Sequence, residues 1–359
     1  MLAAVYHGPE DLRVEQWPTP SAAAGEIVLR MEYASICATD LRIIRGAHRK
    51  CGPGTVRVPG HEVVATIAEL GNGVNGGYRV GQRVFVAPNV GCGDCLQCRR
   101  GQSNLCADYA ALGITMDGAF AEFIKLPPAF LEQGNLIPFD PSLDGAEIAL
   151  AEPFACVLHG QDALRMGSDE VLLIMGPGPV GIMHVIAAKA AGVRKIVMSG
   201  KSPERLQMAI AAGADRVVNI HEESLRKVIA AETEGRGADL IVVATGAREA
   251  MEEAPALAAI RGRVNLFAGL PNNDNAISLD ANLIHYKELV VTGTTGCSTA
   301  DCRRSLEMIS SGAVDLAPLI SARYSLDRAK EAIGAVRAGN VLKVAIHNRD
   351  FQTSTLLDR

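Results

Sequence analysis

The spacing of apolar and polar residues divides the chain into two halves with different rhythms. In the first, Ile27-Val28-Leu29-Arg30-Met31-Glu32-Tyr33 alternates as a half-buried strand does, and Val84-Phe85-Val86 is a compact apolar run. Gly71-Asn72-Gly73 and Asn75-Gly76-Gly77 supply residues that tolerate positive φ, so residues 1–153 are expected to form a β-rich domain of irregular strands. From Val171 the rhythm becomes strand then helix, the mark of a parallel sheet with crossover helices. Candidate strands, mostly buried and β-branched, run Val171 to Met175, Lys195 to Ser199, Arg216 to Asn219, Asp239 to Ala244, Arg263 to Ala268 and Glu288 to Thr292. Ser202-Pro203 caps and opens one helix, and Gly213 stops it. After Gly296 two more helices are expected, one ending at Gly312 and one from Ser325 to Gly339, then a strand Val341 to Ile346 and a polar, loose tail from Asp350 to Arg359.

Length and composition bound the answer. A chain of 359 residues holds two or three domains, and its abundant Gly and Ala with few aromatics suit close helix-on-sheet packing better than an aromatic nucleic-acid platform. With 35 basic against 40 acidic residues there is no basic stripe, which argues against nucleic acid or an anionic membrane as partner. The start Met1-Leu2-Ala3-Ala4-Val5-Tyr6-His7-Gly8 lacks a basic segment followed by an apolar run, and no apolar stretch is long enough to span a bilayer, so a cytoplasmic, soluble protein is expected. Nine cysteines without an export signal argue against a disulfide framework.

Gly176-Pro177-Gly178-Pro179-Val180-Gly181 follows a buried strand directly and opens an apolar helix, Val180 to Ala191, where a dinucleotide fingerprint belongs. Gly176 makes the tight turn, Gly178 lets backbone approach a pyrophosphate, and Gly181 lets the helix lie close on the sheet, with N-terminal N–H groups facing the anion. The alternative is a glycine turn without a ligand. An acid should end the second strand if a ribose 2′-hydroxyl is to be held, but the strand ends Met198-Ser199-Gly200-Lys201-Ser202. Lys201, with Arg205 a turn later, could meet a 2′-phosphate, so NAD(P) is expected as cofactor with a lean to NADP.

Two metal constellations stand out. Cys92, Cys95, Cys98 and Cys106 have C-x2-C-x2-C-x7-C spacing in a lobe at about 90–108, as a closed, structural tetrahedral Zn²⁺ site requires. An iron–sulfur cluster is the rival, but the last spacing is too long and no Pro follows the final Cys. The other constellation is dispersed: Cys37, His61, Glu62 and Glu152 could supply one thiolate, one imidazole and one carboxylate, leaving a fourth position open as a catalytic zinc does. Glu62 adjoins His61 and Glu152 precedes Pro153, and either could be the carboxylate ligand.

These motifs, Cys37-Ala38-Thr39-Asp40, Gly60-His61-Glu62, the four-cysteine lobe, Ala151-Glu152-Pro153 and Gly176 to Gly181, come in an order that resembles the zinc-containing medium-chain dehydrogenases over essentially the whole chain, within them the polyol (sorbitol-type) and threonine dehydrogenase branch. The resemblance implies an α/β protein: a GroES-like β-barrel catalytic domain (1–153, rejoined by 297–359) and a Rossmann doubly wound parallel sheet (154–296), with the active site in the cleft between them. It implies that Thr39 takes the substrate proton and passes it outward through the cofactor ribose, and that Asp40 hydrogen-bonds the far nitrogen of His61. Classical alcohol dehydrogenases carry a cysteine ligand in the region of Glu152, so a carboxylate there points to the polyol branch. Many relatives have a histidine two residues after the aspartate, where this chain has Arg42, which puts the tail of the proton relay in doubt.

The function expected is reversible hydride transfer between a secondary alcohol of the polyol or sugar-alcohol class and NAD(P), with two zinc ions per chain. The alternatives are an amino-alcohol (threonine-type) or simple secondary-alcohol dehydrogenase, or a non-catalytic nucleotide-binding protein. A homo-oligomer, dimer or tetramer, is implied by the family alone.

Overall fold

A computed structural model describes residues 1–271 and 274–349; the tail from Asp350, expected to be loose, lies outside the described residues. The chain forms two compact units. One comprises Met1–Glu152, Cys297–Gly312 and the chain from Leu316, and the other comprises Pro153–Gly296 with Ala313–Asp315.

The first unit is built on a curved sheet ordered Ile320–Ser325, Lys343–His347, Ile27–Ser35, Glu62–Leu70, Arg83–Val86 and Leu136–Pro138, with Phe123–Leu126 also paired to Ile27–Ser35. The first two strands run parallel and the remaining pairs antiparallel. A hairpin of Leu2–Gly8 and Asp11–Gln16 adds Val5 and Tyr6 to a core shared with Leu29, Phe120, Phe130 and Ile346.

The strand Ile27–Ser35 departs from the alternation its sequence suggests. Of its nine residues only Arg30 is exposed. Glu32 is 1% exposed yet satisfied: Arg83 donates to Oε2 from Nε at 2.9 Å, and the Thr66 hydroxyl donates to Oε1. Arg83 also donates to the carbonyls of Pro141, at 2.7 Å, and Leu143. A buried carboxylate costs several kcal/mol unless charged and polar partners are supplied. This one is supplied by residues 34 and 51 positions away, which periodicity cannot reveal.

The second unit is a six-stranded sheet ordered Arg216–Asn219, Lys195–Gly200, Val171–Met175, Ala238–Val243, Ala258–Leu266, Val290–Gly293, every neighbouring pair parallel. The chain starts near the middle, walks to one edge, returns and walks to the other, so the strand order reverses beside Val171–Met175, where such sheets bind ligands. Val171–Met175 is buried throughout, consistent with its unbroken apolar run. The fifth strand starts earlier than its sequence suggests, at Ala258, through an irregular register opposite Ala238–Leu240. The last strand is an edge rather than a buried strand, with Val290 52% exposed. Among the described residues, no helix is long and apolar enough to cross a membrane.

Candidate active site and metal centres

In the first unit Cys37 ends an extended segment and caps the helix Ala38–Ile44. His61 follows a tight turn, and Glu62 opens the strand Glu62–Leu70. Gly60 makes that turn possible on two counts. Its φ is +96°, and a Cβ there would lie 2.7 Å from Cδ1 of Phe120. One ligand atom from each of Cys37, His61 and Glu62 lies within 4.8 Å of the others. His61 and Glu62 are buried and Cys37 is half-buried.

Asp40, fully buried, binds the two segments together. Its Oδ2 accepts the N–H of Cys37 at 2.8 Å, and its Oδ1 accepts the N–H of Gly60 at 3.0 Å. The resemblance implies instead a hydrogen bond to His61. The Nδ1–Oδ1 separation is 3.5 Å, within ion-pair range but long for a hydrogen bond, and Nδ1 is otherwise without a hydrogen-bond partner. Asp40 thus fixes backbone through its two short bonds and biases the imidazole electrostatically across the longer gap. Burial pushes the His61 imidazole down, but Asp40 and Cys37 raise it well above its ordinary value. The cluster's thiol, imidazole and carboxyl groups are a donor set that suits zinc.

Sequence reasoning missed Lys343. Its Nζ, on a side chain 4% exposed, lies 2.7 and 2.6 Å from the two carboxylate oxygens of Glu62 and 3.2 Å from the carbonyl of Ile36. Burial lowers this ammonium, but Glu62, Cys37 and Glu152 together raise it above its ordinary value, so it stays charged. The available signal was a single lysine inside the apolar run Val341 to Ile346. Glu152 falls outside the Cys37–His61–Glu62 trio. It is 6% exposed at the start of the helix Ala151–Asp162, with Oε1 3.8 Å from Sγ of Cys297. Thr39 is half-buried in the first turn of the helix Ala38–Ile44, and Arg42 is exposed in its last.

The four sulfurs of Cys92, Cys95, Cys98 and Cys106 converge within 4.8 Å of one another. Backbone N–H groups point at them: Cys92 donates to Cys106 at 3.3 Å, Cys95 to Cys92 at 3.4 Å, and Cys98 to Cys95 at 3.5 Å. The donation from Cys98 is the main reason that the Cys95 thiol is lowered to about 7. Gly91 is required here, since a Cβ would stand 2.4 Å from Sγ of Cys98. Four soft donors with no carboxylate among them suit a closed tetrahedral zinc.

In the second unit, Gly176 has φ +111° and donates its N–H to the Ser199 carbonyl at 2.9 Å, clamping the turn to the second strand. The helix begins at Pro179, one residue earlier than expected, and ends at Ala190. Gly181 is dictated by packing: a Cβ would be 2.0 Å from the Gly176 carbonyl oxygen. A Cβ on Gly178 would meet no protein atom within 4 Å, so only a group approaching from outside would need glycine there. Gly178, Val180 and Gly181 carry the helix's first N–H groups, since Pro179 has none. Lys201 is exposed just beyond the strand, while Arg205 is half-buried in the helix Pro203–Ala211, whose cap Ser202 accepts the Arg205 N–H at 3.3 Å.

Comparison with known proteins agrees with this geometry. Residues 23–135 match the alcohol dehydrogenase GroES-like domain and residues 179–311 the zinc-binding dehydrogenase domain. The chain is 34% identical over 338 residues to a sorbitol dehydrogenase of Bacillus subtilis, covering 93% of this chain and 92% of that one. It is 30% identical over 350 residues to an L-threonine 3-dehydrogenase of Rhizobium johnstonii, covering 96% and 98%. A crystal structure described as a zinc-binding dehydrogenase of Sinorhizobium meliloti 1021, bound to NADP, superposes with a TM-score of 0.88 at 27% identity, covering 96% and 98%. A GroES-like barrel joined to a doubly wound sheet, a thiol–imidazole–carboxyl trio and a four-cysteine lobe thus meet in one chain, which belongs to the zinc-containing medium-chain dehydrogenases, in their polyol and threonine dehydrogenase branch.

Proposed function

We propose that the chain catalyses reversible oxidation of a secondary alcohol on a small polyhydroxy compound, with NADP preferred over NAD. The observation that carries the chemistry is the convergence of Cys37, half-buried, with the buried His61 and Glu62: two metal ligands and a carboxylate within reach of the same ion. When bound, zinc supplies Lewis acidity that lowers the pKa of an alcohol hydroxyl, and the dinucleotide supplies the hydride acceptor.

The chain's own residues do the rest. Cys37 and His61 would hold the metal; His61 turns Nδ1 toward Asp40, which leaves Nε2 as its ligand nitrogen. Proximity favours Glu62 as the carboxylate ligand, but Lys343 engages both of its oxygens, so we assign the resting ligand to Glu152 and reserve Glu62 for ligand exchange. Thr39 takes the substrate's hydroxyl proton. Cys92, Cys95, Cys98 and Cys106 hold a structural zinc. Gly176, Gly178, Pro179, Val180 and Gly181 form the pyrophosphate turn. Solved relatives carry either nicotinamide cofactor, so the preference is argued from this chain: Gly200 offers no acid to a ribose 2′-hydroxyl, and Lys201 and Arg205 suit a 2′-phosphate. The protein is read as cytoplasmic and homo-oligomeric. The open sheet edge at Val290–Gly293, with Val290 52% and nearby Tyr286 78% exposed, suits self-association.

A substrate panel, with metal measured on the same sample, tests the reading. Turnover of sugar alcohols with two zinc per chain is expected, and Cys37→Ser and His61→Ala should each abolish it while the protein stays folded. A fully zinc-loaded enzyme that oxidises only amino alcohols would replace the substrate class, and near-normal turnover in either variant would remove the catalytic-metal assignment.

A further inference from the structure

Gly200 ends the strand Lys195–Gly200, where an acid would hold a ribose diol. Backbone conformation does not demand a glycine there, because Gly200 is not among the residues with positive φ. Sterics do. A Cβ at position 200 would lie 2.3 Å from both Cδ and Cγ of Pro177 and 3.4 Å from its Cβ. A side chain ending in a free torsion could swing aside, but a pyrrolidine ring closed onto its own backbone cannot. Nor can the backbone easily shift. Gly176, just before Pro177, is held by its N–H to the Ser199 carbonyl at 2.9 Å, and Gly181 packs against the Gly176 carbonyl with no room for a Cβ.

We propose that Pro177 is a specificity-determining residue of the dinucleotide site: its ring fills the space that any side chain at 200 would need, so no carboxylate can be presented to a ribose 2′-hydroxyl, and the adenosine 2′ position is left to Lys201 and Arg205. This deepens the cofactor preference proposed above and rests on it. It changes what the glycine means. Its lack of an acid is enforced from the fingerprint turn, 23 positions earlier in the chain, and one substitution at 200 cannot undo it.

The test compares wild type, Pro177→Ala, Gly200→Asp and the double variant, with Gly200→Ala, which adds only the Cβ, in case the aspartate does not fold alone. Thermal unfolding reads the contact without any cofactor. Calorimetric titration with adenosine 2′,5′-bisphosphate and with 5′-AMP, which differ only at the 2′ position, reads the 2′ preference without turnover. Gly200→Ala or Gly200→Asp should lower Tm by about 3–6 °C, the scale of overpacking in a domain of this size, and adding Pro177→Ala should restore most of it. The double aspartate variant should lose about tenfold or more in affinity for the bisphosphate and gain for 5′-AMP, whereas Pro177→Ala alone keeps the wild-type order. An equal Tm loss with and without Pro177, or a folded Gly200→Asp that reverses the preference while Pro177 remains, would overturn the proposal. A wild type that binds 5′-AMP more tightly than the bisphosphate overturns the NADP reading instead, and the Tm coupling between 177 and 200 then decides the steric lock by itself.

Discussion

Asp40 accepts the backbone N–H of Gly60 at 3.0 Å, with no part of its side chain exposed to solvent. Its other oxygen holds the N–H of Cys37, so one carboxylate sets the distance between the segments that carry two metal ligands. Asp40→Ala leaves two buried donors unpaired and should cost about 2–5 kcal/mol, while Asp40→Asn, which keeps one acceptor, should cost less. Urea unfolding gives the stabilities, and the rate of zinc transfer to a chromogenic chelator should rise in the same order. Equal stabilities for Ala and Asn would mean that the backbone bonds contribute little.

The Lys343–Glu62 pair is the second expectation. Removing one member of a buried pair strands the other charge, so Lys343→Met should destabilise by about 3–5 kcal/mol, and Lys343→Met/Glu62→Gln should recover much of that. The cycle, measured in urea, has a further readout: Lys343→Met frees Glu62 for the metal, so it should release zinc to a chelator more slowly than wild type.

For the cysteine lobe, Cys98→Ser should take zinc content from two to one per chain, measured by elemental analysis, and lower Tm while the thiol at Cys37 keeps its metal. Loss of both ions together would contradict two independent centres.

His184 sets a pH dependence. It is fully buried in the helix Pro179–Ala190, where its backbone carbonyl accepts from Gln161 Nε2 at 2.8 Å and its ring meets Phe267 edge-on at 4.7 Å. Burial pushes its imidazole down to about 3. The unfolded chain binds a proton near the ordinary histidine value and the native state does not. Stability is therefore full above that value and declines as pH falls toward 3, by up to about 1.4 kcal/mol per pH unit from this residue. Urea unfolding at pH 7, 6 and 5 should show a shallower decline in a His184→Gln variant than in wild type.

The features legible in the sequence were those written locally. The strand–helix rhythm after Val171, the turn at Gly176 and the cysteine spacing each depend on neighbours within a few positions, and each element appears within a few residues of its expected bounds. What escaped depends on partners far away along the chain. Lys343 finds Glu62 across 281 positions, and Glu32 reads as a solvent-facing residue of an alternating strand until Arg83 and Thr66 are brought to it. The resemblance pairs Asp40 with His61, which stands 3.5 Å away, but no local pattern announces that its short bonds go to backbone. Pro177 stands inside the fingerprint turn, and nothing local reveals the strand end beside it.

The barrel sheet includes Lys343–His347, paired to Ile27–Ser35 and laid down only after the whole parallel sheet has been made. During synthesis the unit that starts at Pro153 can close on nearly contiguous chain, as domains tend to do when they emerge. The unit that began first must wait, with Glu62 lacking its ammonium partner until residue 343 leaves the ribosome. The proposed metal ligands Cys37 and His61 are thus made early and their electrostatic environment late, so the strand Lys343–His347 should decide when a nascent chain acquires a finished site.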